Sequence, residues 1–240
     1  MKFKLHARIA AEFVGTAFLL MAVVGSGIMG ERLSGGIVAI ALLANTLATG
    51  AALVALILTF GPISGAHFNP VVTLADASQR GIAWIEVPLY LIAQVLGAYI
   101  GVLCAHLMFA LPIFSISQHA RSGMAQAFSE FVATFGLVSV IWGCSRLRSS
   151  VVPFAVGAYI TAAYWFTAST SFANPAVTLA RAATNTFSGI RPFDVPGFLV
   201  AQFAGAGAAT ALFSWLIPTL RSVATEVLVP HGEQPEGTHL

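Results

Sequence analysis

Charge is what this chain has least of. Acidic and basic side chains make up 8% of its 240 residues, where a soluble domain carries about a quarter. Apolar residues supply 58% and the mean hydropathy is +0.87, so the solvent of this chain is a lipid bilayer. Cysteine is nearly absent too. Cys104 and Cys144 each fall inside an apolar run, which excludes a disulfide framework and a metal-binding cysteine set and leaves two thiols that act as small hydrophobes. There is no zinc-spaced histidine pair, nucleophile elbow or carboxylate dyad, so an enzyme is not expected, nor a metal or a cofactor. The formal net charge of +2 comes with no basic face interleaved with aromatics, which argues against nucleic acid as a partner. Ten-residue alternating segments are also missing, and with them the signature of a membrane β-barrel.

What remains is apolar runs of the roughly twenty residues that a helix needs to cross hydrocarbon. They lie near 7–29, 37–61, 83–110, 124–145, 151–168 and 194–217. The expected fold is therefore an all-α membrane protein with six transmembrane helices and no soluble domain. "MKFKLHARIA" and the apolar run behind it read as the first span, since no small-residue cleavage site closes it. In a six-span arrangement Lys2, Lys4, Arg8, Arg80, Arg146, Arg148 and Arg221 share one side, against Arg32, Arg121, Arg181 and Arg191 on the other. The excess puts both termini in the cytoplasm of a multi-pass protein of the cell's inner (plasma) membrane.

Three pieces of the first half recur in the second, in the same order. "AEFVGT" at 11–16 returns as "SEFVAT" at 129–134, "NPVVTLA" at 69–75 as "NPAVTLA" at 174–180, and "PLYLIAQVLGA" at 88–98 as "PGFLVAQFAGA" at 196–206. The chain reads as two copies of one unit, about 7–110 and 124–217. Each copy has three crossings, so the second enters the membrane upside down relative to the first, an inverted repeat. Together they make one membrane domain over 1–218, followed by a polar tail at 219–240.

The Asn-Pro segments are too short to cross. Pro70 to Gln79 and Pro175 to Asn185 read as half-helices, with Asn69 and Asn174 as N-caps and Pro70 and Pro175 in the first turn. Irregular backbone at membrane depth must line a cavity or be buried in protein. Inverted symmetry aims the two helix N-termini, with their positive dipole ends, at one point near the midplane, and a lumen there repels cations.

These motifs resemble those of the major intrinsic proteins, the aquaporin and aquaglyceroporin family. "SGAHFNPVVTLA" is similar to that family's first Asn-Pro-Ala loop and "SFANPAVTLA" to its second, and Glu12 and Glu130 match the glutamates of its first and fourth spans. The likeness covers about 7–218. It implies a homotetramer in the lipid bilayer with one passive, single-file pore per subunit, in which Asn69 and Asn174 donate to the passing solute. Asn69, Pro70 and Val71 stand as one motif, with valine in place of the usual alanine, and Asn174, Pro175 and Ala176 as the other.

Where most members continue the second motif with arginine, this chain has Val177. The expected outer filter is Thr49, Tyr164, Ser171 and Val177, with hydroxyls and no fixed charge, and therefore wide. Counting from Asn174 instead of Pro153 would replace Tyr164 by Ala162; gaps belong in loops, which favours Tyr164. Arg181, one turn beyond Val177 on the same face, lines the outer vestibule or snorkels at the surface, and snorkelling is the preferred reading. Glu12, Glu130 and His67 are expected to support the loops, the histidine neutral and satisfied by loop backbone. His106 has no partner visible in sequence.

The arginine-free second motif, "TSFANPAVTLAR", most resembles bacterial aquaglyceroporins associated with arsenic resistance. The expected solutes are uncharged: arsenite and methylated arsenicals, glycerol-type polyols, with or without water. An ordinary water or glycerol facilitator with no metalloid role is the alternative within the class. An alternating-access transporter is a reading from a different class.

Overall fold

The protein is described by a computed structural model over residues 3–147 and 149–217. The expected tail at 219–240, together with Lys2, Arg148, Arg221 and the side chain of Arg146, lies outside the described residues. Among the described residues eight α-helices run in order: α1 Leu5–Leu33, α2 Val38–Ser64, α3 Pro70–Ser78, α4 Val87–Met108, α5 Met124–Leu147, α6 Val152–Phe166, α7 Pro175–Arg181 and α8 Val195–Leu216. Among the described residues there are no strands. The six helices other than α3 and α7 form segments long and apolar enough to cross a membrane.

Proline sets several starts. Pro70, Pro88, Pro153, Pro175 and Pro196 each stand in the first turn of a helix, where a missing N–H breaks no bond and φ is already helical. Tracing the crossings puts the ends of α1, α4 and α6 on the face opposite the N-terminus, here the far face, with the loops at 34–37, 109–123 and 167–191. The nine residues of α3 return from mid-membrane to the near face and the seven of α7 to the far face. At 1.5 Å per residue neither could span about 30 Å of hydrocarbon. The second half-helix stops at Arg181, four residues before the expected end at Asn185, because the chain turns back there and the Ile190 N–H bonds to the Arg181 carbonyl at 3.2 Å.

Within each half the first helix packs closely on the third, α1 on α4 and α5 on α8, and α2 meets α6 across the halves. Two glycines permit the closest approaches. A Cβ on Gly97 would fall on the Phe13 carbonyl of α1, and one on Gly205 would meet the Phe131 carbonyl of α5. These are equivalent places in the two copies, so the backbone contact is itself repeated. Cys104 and Cys144 are unpaired and half-buried in α4 and α5, less enclosed than their apolar surroundings in sequence imply.

Candidate functional site

The two segments before the half-helices have backbone that side chains normally avoid. Ala66 and Phe68 have φ of 50° and 49°, and the matching Ser171 and Ala173 have 49° and 47°. Left-handed backbone at four non-glycine residues is strained, and something must hold it. Glu12 accepts from the N–H groups of His67 at 2.9 Å and Phe68 at 2.8 Å, from Ser64 Oγ at 2.7 Å and from Gln94 Nε2 at 2.8 Å. Glu130 accepts from the N–H groups of Phe172 at 2.8 Å and Ala173 at 2.9 Å, and from Gln202 Nε2 at 2.6 Å. Each carboxylate is fully buried and surrounded by donors, which offsets its desolvation.

Gln94 and Gln202 complete these clusters, and motif reading missed them. Each also donates to a half-helix threonine, Thr73 or Thr178, at 2.8 Å. Both glutamines sit inside the quoted repeat "AQ", as a fixed polar residue in an otherwise apolar helix, and that was the available signal. His67 is held otherwise than expected: its ring bonds Thr73 Oγ1 at 3.0 Å and approaches Asp76 at 3.5 Å, side chains where loop backbone was the expected partner.

The caps join the halves. Asn69 Oδ1 accepts from the Val71 N–H at 3.1 Å, and Asn174 Oδ1 from those of Ala176 at 3.0 Å and Val177 at 3.3 Å. The amide of Asn69 donates to the Ala173 carbonyl and that of Asn174 to the Phe68 carbonyl, both at 2.8 Å. One N–H of each amide is thereby used, and the second makes no hydrogen bond within the protein.

Both asparagines line an elongated cavity whose walls run from Val152 at the near end of α6 to Arg181 at the far end of α7. Its lining includes the aliphatic side chains of Leu19, Val23, Leu53, Ile57 and Ile160. The loop residues 65–68 and 171–173 line it as well. Thr49, Tyr164, Ser171 and Val177 all line its far part. The Tyr164 hydroxyl lies 3.3 Å from Thr49 Oγ1. Ser171 Oγ is buried with no protein partner, and Ala162 is exposed on the outside of α6.

Arg181 does not snorkel. It is 2% exposed and forms part of the cavity wall, so the far part of the cavity does carry a fixed charge, contrary to the expectation from Val177. Its Cζ sits 3.4 Å from the centroid of the Phe172 ring and its Nε donates to the Ser188 carbonyl. Long-range folding of the far loops explains the difference. Ser115 and Ser117 pair through their N–H groups with the Ala183 and Ala182 carbonyls, laying 109–123 over the end of α7.

That strap brings in Arg121, which the sequence reading only counts among the basic residues of the far side. It is 9% exposed, donates from Nε to the Gly189 carbonyl at 2.8 Å and from Nη1 to the Ser169 carbonyl at 3.2 Å, and lies 5.0 Å from the same Phe172 ring. Burial pulls its guanidinium down to about 10, against the opposing pull of Glu130, so it is charged at neutral pH. Burial, then Arg121 and Arg181, push the neighbouring His119 down, which leaves that imidazole neutral there. His106 also belongs to this structure: its ring bonds the Ile113 carbonyl at 3.1 Å and Thr184 Oγ1 at 2.7 Å.

The chain's sequence matches the profile of the major intrinsic protein family over residues 1–171, a stretch that contains the first Asn-Pro segment and ends just before the second. It is 54% identical over 222 residues to the aquaglyceroporin AqpS of Rhizobium meliloti, covering 92% of this chain and 95% of that one. Aquaporin NIP3-1 of Oryza sativa subsp. japonica is 34% identical over 169 residues, 65% of this chain and 51% of the plant protein. In fold the chain is similar to the X-ray structure of the aquaglyceroporin from Plasmodium falciparum, with a TM-score of 0.73 at 22% identity over 90% of this chain and 99% of that one. The family profile covers well over half of the chain and the rhizobial likeness nearly all of it, so this protein belongs to the major intrinsic protein family, whose aquaporins and aquaglyceroporins are membrane channels and not enzymes.

Proposed function

We propose that this channel passes small uncharged hydroxylated solutes passively, through a far-side constriction built by Thr49, Tyr164, Ser171 and Val177. The observation that carries this reading is Val177 in the cavity wall. A valine there leaves the lumen apolar at the level of the Tyr164 and Thr49 hydroxyls, and the unpartnered Ser171 Oγ offers one more donor and acceptor. A solute with several hydroxyls can exchange water for these groups while its other side rests on valine, which selects by size and hydrogen bonding. Glycerol has this form. Arsenite at neutral pH, an uncharged trihydroxide, has it too, and a methylated trivalent arsenical adds an apolar edge. The likeness to a rhizobial aquaglyceroporin supports the polyol class.

In this reading the channel is one domain over 1–218, made of inverted repeats at about 7–110 and 124–217, that assembles as a homotetramer in the plasma membrane with both termini in the cytoplasm. The buried positions of Arg121 and Arg181 support the orientation. With both removed from the surface count, Arg32 and Arg191 remain on the far side. Stopped-flow light scattering on proteoliposomes in glycerol gradients, with direct arsenite and methylarsenite uptake, tests the reading. Flux down each gradient, independent of proton or sodium gradients, is expected. Water permeation without polyol or metalloid flux would reduce it to a water facilitator, and flux that requires an ion gradient would replace it with alternating access.

A further inference from the structure

The two repeats share a charged position that their motifs do not announce. Counted from the asparagine caps, Asp76 and Arg181 are equivalent, each seven residues on, and His67 and Phe172 are equivalent, each two residues before. The contacts repeat as well: Asp76 lies 3.5 Å from His67, and Arg181 sits 3.4 Å from the Phe172 ring centroid. The intervening positions, Val72 and Val177, both line the cavity. Each half-helix thus presents valine to the lumen in its first turn and a charge, packed on the loop residue that precedes its cap, one turn further out.

In the second copy that charge has no carboxylate to neutralise it. Among the described residues neither Arg181 nor Arg121 forms an ion pair. Arg181 commits only Nε, to Ser188, and its terminal nitrogens have no protein hydrogen bond. Arg121 is spent on the loops: its Nε and Nη1 tie Gly189 to Ser169, with Thr170 Oγ1 at 3.4 Å. Phe172 itself is fixed by Glu130 at its N–H and by an edge contact with Phe198 at 5.1 Å. A guanidinium held against an aromatic face, with both terminal nitrogens free of protein hydrogen bonds beside a cavity, is a built feature.

We infer that Arg181 is a specificity-determining residue of this pore, a fixed cation and hydrogen-bond donor one turn outside Val177, and that Arg121 is a positioning residue that holds Phe172 and the far loops so that Arg181 faces the lumen. The inference rests on the channel reading above. A solute entering from the far face meets the guanidinium before it reaches the constriction at Val177 and Ser171, and cations are turned back there.

The test is flux through proteoliposomes of the full chain, reading the glycerol-to-water permeability ratio and the sodium and proton leak. Arg181→Met keeps length and packing and removes charge and donors. It is expected to raise cation leak at least tenfold and to change the glycerol-to-water ratio at least fivefold. Arg181→Lys is expected to keep cations out while still shifting the ratio, and it decides the matter if Arg181→Met fails to assemble. Arg121→Gln should shift the ratio in the same direction as Arg181→Met, and the double variant should add nothing. Variants at 181 with the parent ratio and the parent leak would overturn the role of Arg181, and additive effects at 121 and 181 would overturn positioning. A parent protein that passes neither water nor polyol would instead defeat the channel reading itself.

Discussion

The Tyr164 hydroxyl lies 3.3 Å from Thr49 Oγ1, joining α6 to α2 across the far part of the cavity. Both side chains are almost wholly buried, and one neutral hydrogen bond of this kind is worth about 1 kcal/mol. Tyr164→Phe keeps the ring and loses the tie, so glycerol permeability should change by no more than about fivefold. Tyr164→Ala removes the ring and should admit polyols larger than glycerol. Swelling of proteoliposomes in glycerol and erythritol gradients reads both. Equal exclusion of erythritol by the parent and Tyr164→Ala would put the narrowest point elsewhere.

Asn69 and Asn174 each cap a half-helix and donate across to the other loop. Asp at either place keeps the capping oxygen, loses the donor and sets a negative charge where two positive helix ends converge. Asn69→Asp and Asn174→Asp should each raise cation conductance in planar bilayers or lower solute flux. Assembled variants that match the parent in both assays would leave the asparagines with capping alone.

Glu12 has four donors and Glu130 three. An amide at either place turns two of its hydrogens toward N–H groups that need an acceptor. Glu12→Gln and Glu130→Gln should each cost on the order of 3 kcal/mol, the first more than the second. Thermal unfolding in detergent measures this. A melting point unchanged for both would mean that the strained loops stand without their carboxylates.

Val177→Arg would place a second guanidinium within a turn of Arg181. Glycerol and arsenite flux should fall at least tenfold while water flux is largely kept, because water is small and pairs with a guanidinium. Retention of the parent solute profile would show that Val177 does not set the size of the opening.

The broad design was legible because repetition makes it so. Two matched Asn-Pro segments in an apolar chain force half-helices, and three crossings per copy force inversion. Tyr164 and Ala162 were separable in sequence only by assuming that gaps fall in loops, and the structure has Tyr164 in the cavity wall and Ala162 outside. The far loops were not legible. Arg121 reaches the site only because 109–123 lies over 182–191, a pairing between irregular segments that no periodicity records. For the same reason Arg181 looked like a surface residue: its acceptor, Ser188, and its aromatic seat, Phe172, are brought to it by turns. Gln94 and Gln202 stood in plain view inside the repeat, but a search for motifs passes over a polar residue that differs from its neighbours by constancy alone.

The crossed asparagine bonds have a mechanical meaning. Each half-helix is pinned at its buried end to the loop of the opposite copy, Asn69 to Ala173 and Asn174 to Phe68. Rocking one repeat against the other would shear both bonds at once. The midplane of this protein is a rivet and not a hinge, so solutes must move through a frame that stays still.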